Sequence, residues 1–126
     1  PPGRRTPQID RVAELLQGRR MVFVGGERRA EAARALEEAF GLDKVEWIEL
    51  AHHASILPAR PAIARPETAV VVLAIRWASH SFEGIKEFCA EYGKPFVRLP
   101  GGYNPSTVAH HILDQIEDRL TNPAAK

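Results

Sequence analysis

Apolar and polar positions along the chain alternate between two patterns: short, nearly unbroken apolar runs, and longer stretches in which apolar residues return at helical spacing. Met21-Val22-Phe23-Val24 is a continuous run ending at Gly25-Gly26, as expected of a strand buried on both faces. Residues 69–75 form the longest such run and predict the central strand. Val45-Glu46-Trp47-Ile48-Glu49-Leu50 alternates less cleanly and predicts a strand nearer the sheet edge, and residues 94–99 predict a fourth. Between the runs, Ile9, Val12, Ala13 and Leu16 share one helical face, opened by Thr6 as N-cap with Pro7 at the first helical position and stopped by Gly18. Ala32, Leu36, Ala39 and Phe40 predict a second helix closed by Gly41. Phe82, Ile85, Phe88, Cys89 and Tyr92 predict another, closed by Gly93. Val108, Ile112, Ile116 and Leu120 form the stripe of a last helix opened by Asn104-Pro105. Within 51–68, Pro58, Pro61 and Pro66 forbid a long helix and leave short helical turns broken by extended pieces.

Strands alternating with helices imply parallel pairing through right-handed crossovers. The expected fold is an α/β three-layer sandwich: an open parallel sheet of about four strands, Rossmann/flavodoxin-like, in the order 2-1-3-4, with helices on both faces. At 126 residues, with 44% hydrophobic and 26% charged positions, the chain matches one ordinary globular domain spanning 1–126, with 1–6 and 121–126 as its flexible margins. Seventeen Lys and Arg against sixteen Asp and Glu give a formal charge of +1. That balance argues against a wholly basic, nucleic-acid-coating surface and leaves a local basic patch open. Cys89, the single cysteine, cannot form an internal disulfide, so a reducing, cytoplasmic setting is expected. No apolar run approaches the roughly 20 residues that span a membrane. The start, Pro1-Pro2-Gly3-Arg4-Arg5, lacks both methionine and a signal-peptide core and reads as the cut edge of a longer protein.

In open α/β sheets, ligands bind beyond the carboxyl ends of the strands. That rule collects most of the unusual polar residues on one rim: Gly25, Gly26, Arg28 and Arg29 after the first strand, and His52 and His53 after the second. Arg76, Trp77, Ser79, His80 and Ser81 follow the third, and Gly101, Gly102, Tyr103, Asn104 and Ser106 the fourth. Gly25-Gly26 permits close backbone approach and positive φ at a helix start, where unpaired N–H groups attract anions. It lacks the Walker ending and the third glycine of a dinucleotide fingerprint, so a tight strand-to-helix turn stands beside a phosphate cradle as its reading. Ser79 or Ser81 is expected to cap the following helix. Trp77 beside Arg76 could stack on a base or a partner surface, and His80 could bind phosphate, shuttle a proton, or hold two loops together. Gly101-Gly102 could clamp an anion or merely allow a sharp turn.

No spacing of Cys, His or carboxylates marks a metal site, and none is expected. A haem through one histidine is conceivable, but nothing requires it, so no cofactor is identified. His110-His111 reads as a solvated or boundary pair, Cys89 as a core residue, and Arg60 and Arg65 as part of a surface connection.

Through Met21-Val22-Phe23-Val24-Gly25-Gly26 with its Arg-bearing helix start, strand 69–75 with Ser79-His80, and Lys94-Pro95-Phe96-Val97, the chain resembles a bacterial family known as domain-of-unknown-function family 2325. The resemblance covers most of residues 20–100. It implies a small Rossmann-like domain at the end of a longer bacterial protein, with Gly25, Gly26, Ser79 and His80 as the positions carried over, and implies no particular activity.

The expected function is a non-catalytic binding or regulatory domain whose rim holds an anionic ligand: a phosphate-bearing small molecule, a nucleotide or a nucleic-acid backbone. A small hydrolase or transferase using His80 with Ser79 or Ser81 is the enzymatic alternative. It lacks a well-placed acid beyond Glu83 and any Gly-x-Ser-x-Gly elbow. A self-association or docking domain, as a homodimer or against the rest of a parent protein, would use Trp47, Trp77 and Tyr103 as anchors.

Overall fold

The computed structural model describes residues 5–50, 55–74 and 80–122, with His80 and Ser81 described by backbone alone. The elements in chain order are α1 (Pro7–Leu16), β1 (Arg20–Gly25), α2 (Ala30–Phe40), β2 (Lys44–Glu49), α3 (Ala59–Ala64), β3 (Thr68–Ala74), α4 (His80–Tyr92), β4 (Phe96–Arg98) and α5 (Pro105–Thr121). All sheet pairings are parallel and the strand order is β2-β1-β3-β4, the Rossmann/flavodoxin-like arrangement expected from the alternation of patterns.

Side-chain alternation along the strands divides the interior into two layers. Met21, Phe23, Val70, Val72 and Val97 point to one face, where they meet Ile9, Val12 and Leu16 of α1, Leu36 and Phe40 of α2, and Val108, Ile112 and Ile116 of α5. Val22, Val24, Val71 and Leu73 point to the other, against Ala59, Ala62 and Ile63 of α3 and Ile85 and Cys89 of α4. β1 and β3 are therefore apolar at successive positions because both of their faces are covered. β2 lies at an edge and is only half-buried from Glu46 to Ile48, which explains its mixed pattern. Each fully buried large side chain in these layers stabilises the fold by about 1.5–3 kcal/mol relative to exposure.

Local chemistry sets the element ends. Thr6 is extended and its hydroxyl accepts from the Ile9 N–H at 3.1 Å, while Thr121 donates to the carbonyls of Glu117 and Asp118, so these two marginal residues are both engaged. Gly41 closes α2 in the left-handed conformation (φ 63°), where a β-carbon would be strained. In the proline-rich stretch, α3 holds Pro61 within its first turn, where the ring removes no needed N–H, and Arg65 turns extended just before Pro66. Two details differ from the sequence pattern. Ala33, three residues before Leu36, is the buried alanine of α2, whereas Ala32 sits at the flank of that face. β4 is also shorter than 94–99, although its ladder continues through the Pro95 carbonyl and the Leu99 N–H at its two ends.

Candidate functional site

Parallel pairing places the carboxyl ends of the four strands on one rim, and an aromatic cluster joins its loops. Phe23 and Trp47 are register partners on β1 and β2, with ring centroids 4.3 Å apart. Tyr103, in the loop after β4, stands edge-on to both, 6.0 Å from Phe23 and 5.7 Å from Trp47. The Trp47 indole N–H donates to the Gly26 carbonyl at 3.1 Å. Gly26 and Gly102, remote in sequence, thus belong to neighbouring loops, and α4 opens at His80 after β3. Trp47 and Tyr103 were expected as interface anchors. They are instead half-buried, packed against each other and the core, and the indole N–H is already used.

The first loop differs from expectation in three ways. Gly26 does not begin a helix: residues 26–29 are needed to turn the chain from strand to helix, and α2 starts at Ala30. Neither Gly25 nor Gly26 has positive φ; among the rim glycines Gly102 does, at 70°. Gly25 sits in a tight spot, since a β-carbon there would lie 3.3 Å from the Ala74 carbonyl and 3.4 Å from the Phe23 ring, whereas one on Gly26 would meet nothing within 4 Å among the described residues.

The helix start that follows is chemically open. Arg29 occupies the N-cap position with extended backbone and its side chain makes no capping hydrogen bond. Arg28 and Arg29 are exposed, and neither forms an ion pair among the described residues. Together with Glu27 and Glu31 they line an open concavity of about 480 Å³. The backbone N–H of Arg28 donates to the Glu49 carboxylate at 2.6 Å, so an anionic oxygen of the chain's own already sits on one amide of this loop.

The loop after β4 is accounted for by turn and cap chemistry. Gly102 supplies the left-handed residue, and the Asn104 side-chain oxygen accepts from the Thr107 N–H at 2.9 Å, which satisfies a first-turn amide of α5. Gly101 is exposed beside it.

Arg76, Trp77 and Ser79, with His52 and His53, lie outside the described residues. His80 and Ser81 are the first two residues of α4, which places Ser81 inside the helix rather than at its cap. On α5, His110 is exposed and His111 half-buried, with Gln8 Nε2 3.5 Å from His110 Nδ1. Among the described residues no three His, Cys, Asp or Glu side chains cluster to hold a metal ion. Cys89 is 2% exposed and burial pushes its thiol up to about 12, so it is no nucleophile at neutral pH.

One feature escaped the sequence reading. Arg19, Lys94 and Arg119 line a cavity of about 230 Å³ at the opposite, N-terminal edge of the sheet. The signal was available: each follows a helix-ending glycine or sits in a last turn, and in this topology all helix C-termini meet at that edge. Comparison of the chain with protein-family models, with curated proteins and with solved structures finds no match.

Proposed function

We propose that this chain is a non-catalytic binding domain that holds a phosphate-bearing ligand, a nucleotide or a nucleic-acid backbone, at the loop from Gly26 to Arg29. The observation that carries this reading is the pair of exposed arginines, Arg28 and Arg29, at an α2 N-terminus that no side chain among the described residues caps. Exposed guanidiniums suit bidentate contact with phosphate, and the positive end of the helix adds to the same field. The short hydrogen bond from Arg28 N–H to Glu49 supports the loop's fitness for an anionic oxygen, and the neighbouring Glu27 and Glu31 restrict the site to ligands that engage the arginines directly. The resemblance to domain-of-unknown-function family 2325 fits a regulatory module of a longer, cytoplasmic bacterial protein. No described helix is long and apolar enough to cross a membrane.

Calorimetric titration with adenosine triphosphate and with a single-stranded oligonucleotide, at low and moderate salt, tests the reading. Binding should weaken about tenfold or more in the Arg28→Ala/Arg29→Ala double variant, because two charge-assisted contacts are lost. A steep salt slope would assign a polynucleotide, and a shallow one a small ligand. Absence of binding at both salts, or a double variant that behaves like the parent, would overturn it.

A further inference from the structure

The N-terminal edge of the sheet, remote from the rim just described, gathers three basic side chains. Arg19 follows α1, Lys94 joins α4 to β4, and Arg119 lies in the last turn of α5; all three line the same cavity of about 230 Å³. None forms an ion pair among the described residues. The nearby carboxylates go elsewhere: Asp43 and Glu46 both pair with Arg20, whose side chain is only 15% exposed, at 3.7 and 3.1 Å. Glu67 acts on Lys94 only through space.

Lys94 and Arg119 have a structural task. Lys94 Nζ donates to the carbonyls of Arg65 and Thr68 at 2.6 and 2.8 Å, and Arg119 reaches the carbonyls of Gly93 and Lys94 at 3.2 and 3.4 Å. These bonds fix Lys94 between the C-terminal end of α3 and the start of β3, and Arg119 beside the C-terminal end of α4. Arg19 has no such task. Its side chain makes no hydrogen bond among the described residues; it lines the same cavity as Lys94, whose pKa is lowered first by burial and then by the charge of Arg19. Three cations lining one cavity, with Glu67 as the carboxylate that acts on Lys94, leave an excess of positive charge that favours an anion from outside. The rest of the wall is mixed: Leu15, Pro66, Pro95 and Leu120 supply apolar surface beside the cations, and Thr68 and Tyr92 supply polar side chains.

We propose that this cavity binds a small organic oxyanion, a phosphate or carboxylate head on an apolar body, with Arg19 as the group that grips the head and Lys94 and Arg119 as the fixed positive floor. The site is independent of the arginine loop at the opposite rim. Ligand pockets of this kind combine an apolar wall with a few convergent polar groups.

Titration of the isotopically labelled chain with phenyl phosphate, benzoate and inorganic phosphate, followed by amide chemical shifts, tests the proposal and separates the two head groups. Phenyl phosphate or benzoate at millimolar concentration should shift the amides of Arg19, Gly93, Lys94 and Ala69, more strongly than inorganic phosphate does. Arg19→Ala, an exposed position whose loss should leave the thermal midpoint unchanged, should weaken that binding about tenfold. Arg28→Ala/Arg29→Ala should leave it intact, so failure here and failure of the rim reading can be told apart. Stationary amides at this edge, or shifts of equal size in Arg19→Ala, would overturn the proposal.

Discussion

The side-chain amide of Gln115 pairs with both outward backbone groups of Arg98: its oxygen accepts from the Arg98 N–H at 2.8 Å and its nitrogen donates to the Arg98 carbonyl at 2.7 Å. A side chain from α5 thereby takes the place of a neighbouring strand along the free edge of β4. Unpaired edge groups invite strand addition from another chain, and this contact blunts them. Gln115→Ala should cost about 1 kcal/mol in chemical denaturation and should introduce a concentration-dependent larger species in sedimentation velocity. An unchanged sedimentation profile at all concentrations would show that Gln115 does not guard the edge.

Gly84 lies inside α4, where glycine is a poor helix former by about 1 kcal/mol relative to alanine. A β-carbon there would fall on the δ-methyl of Ile56, which packs against the α3/α4 layer. That methyl is the far end of a half-buried side chain and can turn aside, so the contact offsets part of the propensity gain rather than reversing it. Gly84→Ala should therefore stabilise an Ile56→Ala background by about 1 kcal/mol and the parent chain by clearly less. Equal gains in both backgrounds would remove the contact as the reason for the glycine.

Cys89 gives a pH dependence with a definite sign. Burial raises its thiol from 9.0 to about 12 in the folded chain. Its contribution to stability is full below pH 9 and is lost as pH rises from 9 toward 12, because the unfolded thiol ionises there and the folded one does not. Thiol-reagent kinetics at pH 8 should show no reaction in the native state and rapid reaction in denaturant. Fast native-state labelling would contradict the burial.

The fold was legible because its signals are local and mutually consistent. Met21–Val24 and residues 69–75 read as strands covered on both faces, and Gly41 and Gly93 end helices where the apolar stripes stop. The site was less so. Gly25-Gly26 looks like a helix-entry turn in sequence, yet its first glycine answers to the Ala74 carbonyl on a strand distant in the chain. Trp47 and Tyr103 looked like surface aromatics because nothing in sequence reveals that β2 and the loop after β4 meet over Phe23. The basic cavity needed the topology before Arg19, Lys94 and Arg119 could be seen as neighbours.

Glu49 is the internal competitor of the proposed rim site, since its carboxylate occupies the Arg28 amide. Glu49→Gln keeps the side-chain shape and removes the charge, so its affinity for adenosine triphosphate should rise several-fold at low salt, with the gain fading as salt screens it. Equal or weaker affinity in Glu49→Gln would mean that Glu49 supports the loop rather than competing for it.

Amide chemical shifts of the labelled chain during titration with pyrophosphate address the arginine loop most directly. The expected result is a saturable shift of the Arg28, Arg29 and Ala30 amides together with the Trp47 indole N–H, abolished in Arg28→Ala/Arg29→Ala. If those resonances stay still while the anion moves only signals at Arg19, Gly93 and Lys94, or none at all, the rim of this sheet is not where the protein holds an anion.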